Sequence, residues 1–127
     1  MKSIKEALTR LNCDNVLECL YGMNEADIIV FKTLVKLRGA KIDTLSKTLG
    51  RRENSVYKSL QKLMLAGIVT RDKKTINDGG YYYIYKPVDV EELAKEMIKL
   101  LDDWYRRMRE VIDEFVALNR SAKEDQK

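Results

Sequence analysis

The chain has no histidine, one proline, one tryptophan, six glycines and two cysteines among its 127 residues. Without histidine it lacks the side chain that most often serves acid–base catalysis, and also a common zinc ligand. Cys13 and Cys19 cannot close a structural zinc site alone, so no metal is expected. They read as two small apolar side chains in a reducing compartment, with a disulfide as the alternative. The glycines form no phosphate-cradling loop, and the acids form no catalytic carboxylate pair. Neither a cofactor nor an enzymatic activity is therefore expected. No apolar run approaches the ~20 residues that span a bilayer, and the start of the chain lacks the apolar block of a signal peptide. A cytoplasmic protein with no membrane partner is the expectation.

What is present is charge, and it is segregated. Of the residues, 35% are charged and 45% hydrophobic, and the net charge is +4. Residues 1–88 hold 16 basic side chains against 9 acidic, whereas residues 89–127 hold 8 against 11. Within 41–86 the ratio is 10 to 4. A basic first part of this kind suits a polyanionic partner.

Glycines and polar caps mark the elements. Gly22, Gly39, Gly50 and Gly67 each follow a segment with helical apolar spacing, where a helix end favours a residue tolerant of positive φ. A helix is expected from about Ser3, with Ile4, Leu8 and Leu11 on one face, continued briefly by Val16, Leu17 and Leu20. A second follows the N-cap Asn24, with Ile28, Phe31, Leu34 and Val35 as its apolar face. A third covers 42–49. A fourth runs from Glu53 to Ala66 and buries Val56, Leu60, Leu63 and Met64. Residues 68–75 and 81–86 alternate as strands across a tight turn at Asp78, Gly79 and Gly80. Tyr82 and Ile84 share one face of the second strand, and Tyr81, Tyr83 and Tyr85 the other.

The order helix, helix, helix, helix, hairpin, helix gives a mainly α fold with a small β part. The turn Leu49-Gly50-Arg51-Arg52 between two helices is a helix-turn-helix pattern. On the fourth helix, at 100° per residue, Asn54, Lys58, Gln61 and Lys62 lie opposite the apolar side, with Arg51, Arg52 and Ser55 at its entrance. Arg and Lys suit phosphates and guanine edges, and Asn and Gln can pair with adenine. Arg71, Lys73 and Lys74 near the hairpin tip form a basic wing for flanking phosphates or a minor groove. These ten residues are the expected contacts to double-stranded DNA.

Residues 20–93 resemble the N-terminal winged-helix domain of archaeal TrmB-type regulators, and are similar in layout to their short stand-alone relatives described as Lrp-like or biofilm-associated. The resemblance is carried by Tyr21-Gly22-Met23-Asn24-Glu25, Ser55-Val56-Tyr57-Lys58-Ser59-Leu60, Ala66-Gly67-Ile68-Val69 and the run Tyr81 to Tyr85. It implies DNA binding and transcription regulation. Where such turns often carry proline before the recognition helix, this chain has Arg52. Longer members carry a sugar-binding C-terminal domain; none is recognised here, so the resemblance supports no sugar effector.

From Asp89 to about Arg120 a single amphipathic helix of about 32 residues is expected, about 48 Å long. Its apolar positions step by threes and fours through Leu93, Met97, Leu100, Trp104, Met108, Val111 and Phe115, with Leu101 widening the stripe. That is a coiled-coil seam with one stutter at Trp104–Met108, in either orientation. The domain plan is thus a winged helix-turn-helix over 1–88, a dimerisation helix over 89–120 and a polar tail over 121–127. The expected function is a homodimeric, sequence-specific transcription regulator with recognition helices about 34 Å apart. The alternatives are a non-specific architectural chromatin protein and a winged helix used for protein interaction.

Overall fold

The computed structural model describes residues 15–125. The helix expected from Ser3, and Cys13, lie outside them. Four helices, a two-stranded hairpin and a long final helix follow one another: α1 (Val16–Tyr21), α2 (Glu25–Leu37), α3 (Ile42–Leu49), α4 (Glu53–Leu65), β1 (Val69–Thr75), β2 (Tyr81–Pro87) and α5 (Val90–Asp125). This is a winged helix-turn-helix followed by a long helix. The chain divides after Val90 into two compact units.

In the first unit, local chemistry sets the helix ends. The Asn24 side chain accepts from the Asp27 N–H at 2.9 Å, and an Asp27 carboxylate oxygen accepts from the Asn24 N–H at 3.2 Å, which is a closed capping box. Helix α3 stops at Gly50, whose φ of 63° suits glycine. The end of α2 departs from the sequence expectation. Arg38, not Gly39, takes the left-handed cap at φ 60°. Gly39 comes one residue later, at φ 110°, for a different reason. Ala40 forms an isolated antiparallel bridge with Tyr85, its N–H donating to the Tyr85 carbonyl at 2.9 Å. A Cβ at position 39 would lie 3.2 Å from that carbonyl and 3.1 Å from Lys86 Cγ. Gly39→Ala is therefore expected to destabilise the protein by about 1–2 kcal/mol, read as a lower urea midpoint, since both backbone and packing resist it. An unchanged midpoint would show that the bridge yields freely.

The core of this unit is one cluster. Val30 and Leu34 of α2, Leu45 of α3, Val56, Leu60 and Leu63 of α4, and Ile68 and Val69 are fully buried. Val35, expected in this face, is 40% exposed, and Val30 is buried instead. Met64 is half-buried. Strands β1 and β2 pair antiparallel from Val69↔Pro87 to Thr75↔Tyr81, which sets Arg71, Lys73, Tyr81, Tyr83 and Tyr85 on one face. The connection spans residues 76–80 and is closed by the Ile76 N–H donating to the Gly80 carbonyl at 3.1 Å, a longer link than a two-residue turn.

Helix α5 runs 36 residues, about 54 Å. It continues through residues 121–125, expected as a polar tail, because Ala122, Lys123 and Glu124 are good helix formers and no glycine or proline intervenes. Leu100, Leu101, Trp104, Val111 and Phe115 are 38–64% exposed, while Met108 is half-buried and Leu93 and Met97 are buried. Cys19 is disulfide-bonded, contrary to its reading as a reduced thiol. No described helix is long and apolar enough to cross a membrane.

Candidate nucleic-acid interface

The residues expected to face DNA separate into two groups. Arg52, Asn54, Lys58 and Gln61 are exposed along α4, and Ser55 is half-buried. Arg52 caps α4 at φ −66°, the angle a proline would impose, so the absent proline leaves the turn geometry intact.

Arg51 and Lys62 have internal partners. The Arg51 guanidinium donates to the Ala26 carbonyl at 3.2 Å, to Ser55 Oγ at 2.7 Å and to Ser59 Oγ at 3.3 Å. It thereby ties the helix-turn-helix corner to the first turn of α2. The Ser46 hydroxyl donates to the Arg51 carbonyl and fixes the same corner from α3. The Lys62 ammonium is paired with the Asp27 carboxylate, whose side chain is 3% exposed against 46% for the lysine. Burial acts to raise the Asp27 pKa. The Lys62 ammonium, the Ser59 hydroxyl and the Asn24 amide outweigh it and hold the carboxyl below its ordinary value.

This difference yields a paired prediction. Arg51→Ala should lower unfolding free energy by about 1–3 kcal/mol, because it abandons the Ala26 carbonyl and two serines. Arg52→Ala should change stability by less than about 0.5 kcal/mol, as exposed substitutions do, and act on DNA affinity instead. Denaturant melts of both variants with a DNA titration check this; equal loss of stability in both would remove the distinction.

Arg71 was expected near the wing tip. The register places it opposite Tyr85, toward the base of the hairpin, where it lines a groove with Tyr57, Lys58, Gln61, Lys62, Met64 and Leu65. Its guanidinium lies 4.0 Å from the Tyr83 ring centre. Interaction with the Tyr85 hydroxyl raises its pKa, so it is always charged. The Lys73 ammonium lies 4.3 Å from the Tyr81 ring centre. Cations and aromatic rings thus interleave along this face of the wing, which holds flexible basic side chains in place. Lys74 is exposed on the opposite face, where Asp72 and Lys86 form an ion pair at 2.8 Å that keeps the Asp72 carboxyl below its usual pKa.

Sequence reasoning did not name three residues on or beside this candidate surface. Tyr57 borders Lys58 and meets Arg71. Lys41, at the start of α3, sits 4.1 Å from the Tyr82 ring centre. Leu65 is 89% exposed and continues the stripe of Lys58, Gln61 and Lys62 by one helical turn, a spacing that could have revealed it. Among the described residues no group of acids or cysteines could hold a metal ion.

A family model described as "Sugar-specific transcriptional regulator TrmB" matches residues 17–91, which is α1 through the start of α5. The chain belongs to the TrmB family. An uncharacterized protein of Methanocaldococcus jannaschii is 31% identical over 111 residues, covering 87% of this chain and 84% of its own. Transcription factor E of Ignicoccus hospitalis is 33% identical over 96 residues, which is 72% of this chain and 55% of that protein. Among solved structures, a Methanosarcina mazei protein described as a "possible transcriptional regulator" is similar at a TM-score of 0.68 and 28% identity, over 78% of this chain and 84% of that one. This TrmB-family member is thus a DNA-binding transcription regulator of winged-helix type, in a family of regulators and not of enzymes.

Proposed function

We propose that this chain reads duplex DNA by sequence, as a cytoplasmic homodimer, with α4 in the major groove and the hairpin wing on the flanking backbone. The observation that carries the reading is the partition on α4. Internal partners hold Arg51 and Lys62, and of the other expected contacts Arg52, Asn54, Lys58 and Gln61 remain outward, two cations and two amides, with the exposed acid Glu53 beside them. The cations supply affinity through phosphates, and the amides can discriminate between base pairs. The groove between α4 and the wing, with cationic Lys58 and Arg71 beside exposed Leu65, suits a sugar-phosphate strand or a thymine methyl. The exposed apolar stripe on α5 supports a second copy as partner, since patches beyond about 300–600 Å² are rare on soluble monomers.

The test is a duplex titration across salt concentrations, comparing the chain's own promoter with random sequence. A steep salt dependence with at least about tenfold preference for the promoter is expected. Steep dependence without preference would make it a chromatin-coating protein, and no binding a protein-interaction module. Lys58→Ala should weaken all sequences alike and reduce the salt slope by about 1, while Asn54→Ala should shift preference between sequences. Identical behaviour of the two variants would overturn the division of roles.

A further inference from the structure

We propose that α5 pairs antiparallel with a second copy of itself, about a twofold axis near Tyr105; this rests on the homodimer reading above. The two flanks of the seam differ in chemistry. On one side lie Glu96, Asp103, Arg107 and Glu114, all exposed and charged. On the other lie Leu101 and Ile112, 48% and 55% exposed. In a parallel pair each flank meets the opposite flank of the partner, which would press those charges against leucine and isoleucine and strip their water. In an antiparallel pair each flank meets its own kind, charge with charge and apolar with apolar.

The positions also agree on one axis. Reversal about Tyr105 sets Asp103 level with the partner's Arg107, twice by symmetry, and Asp103 has no ion pair among the described residues of its own chain. The same reversal brings Leu100 level with the partner's Val111, and Trp104 with the partner's Met108, to within a residue or two. The stutter between Trp104 and Met108 then falls on the axis, where both chains share it. One like-charge match arises, Glu96 with the partner's Glu114. It is relieved by Arg107, whose guanidinium lies 3.6 Å from Glu114 in the same chain. In-register parallel pairing would instead set Asp103 and Arg107 level with their own copies, so neither would find its opposite charge across the seam. The antiparallel arrangement separates the N-terminal ends of the two α5 helices by about 45 Å at 1.5 Å per residue, more than one turn of DNA at about 34 Å.

Pulsed electron–electron resonance on the full chain tests this, with spin labels on a ketone-bearing amino acid placed at Arg106 or at Ser121 so that the cysteines stay untouched. Ser121 lies about 16 residues from the axis, so its two labels should be about 48 Å or more apart, while labels at Arg106 should be close. Short distances at both sites would overturn the antiparallel arrangement and leave the dimer standing. No dipolar coupling at either site would remove the dimer itself, and the inference with it.

Discussion

Asp27→Ala is expected to lower the unfolding free energy by about 2–4 kcal/mol, a large part of what a domain of this size has. One carboxylate serves two elements. It closes the capping box of α2 by accepting from the Asn24 N–H at 3.2 Å, and it holds the Lys62 ammonium of α4. The Ser59 hydroxyl, which accepts from Arg51 at 3.3 Å, also interacts with Asp27. Arg51, Ser59, Asp27 and Lys62 therefore form one connected network between the first turn of α2 and the recognition helix. Alanine removes the acceptor for Lys62 and Ser59 and leaves the Asn24 N–H without its cap, while Arg51 keeps the Ala26 carbonyl and Ser55. Lys62→Met should be milder, since Lys62 is 46% exposed and the carboxylate would keep Ser59 and the Asn24 amide. Urea melts give the ranking, and a loss below about 0.5 kcal/mol for Asp27→Ala, the range of ordinary surface changes, would show the network to be incidental.

The same residue gives a pH dependence of known sign. Its folded pKa lies below the ordinary 3.8, so its contribution is present above that value and is lost as the pH falls through the folded pKa. The stability difference between the native chain and Asp27→Ala should be full near neutral pH and shrink in acid, measured by melts on both sides of 3.8. A difference independent of pH would mean that the carboxylate's charge is immaterial.

That network also marks the boundary of what the sequence discloses. Asn24 is legible as a cap because capping is local, and Asp27 is legible as an acid near a helix start. Nothing local ties Asp27 to Lys62, which lies 35 residues away, so Lys62 reads as one more cation on an outward face. The tie of Arg51 to α2 is hidden for the same reason: the carbonyl it reaches there is that of Ala26, 25 residues earlier. Periodicity locates α3 and the two faces of β2, since these depend on neighbours in the chain. It places Arg71 too near the wing tip because position along the chain does not give pairing: the register sets Arg71 opposite Tyr85, four residues short of the end of β1 at Thr75. Gly39 is legible as a glycine that matters, but its reason, the approach of β2, is tertiary.

Placing charge on the α5 seam should affect DNA binding more than any single change on α4. Trp104→Glu combined with Val111→Glu puts two carboxylates where side chains 46% and 38% exposed in the single chain would meet a second copy. Burying an unpaired carboxylate is prohibitive, so the pair should separate. A dimer engages its second half-site at a high effective concentration, and a separated head loses that advantage, about 10²–10⁴ in affinity. The salt slope should fall to about half, because one head neutralises half the phosphates. The stability of the first unit should not change, since neither residue belongs to its core. Sedimentation and DNA titration together decide the matter. A variant that stays dimeric would place the interface elsewhere, and a monomer that binds as tightly as the native chain would show that one winged helix suffices to read the DNA.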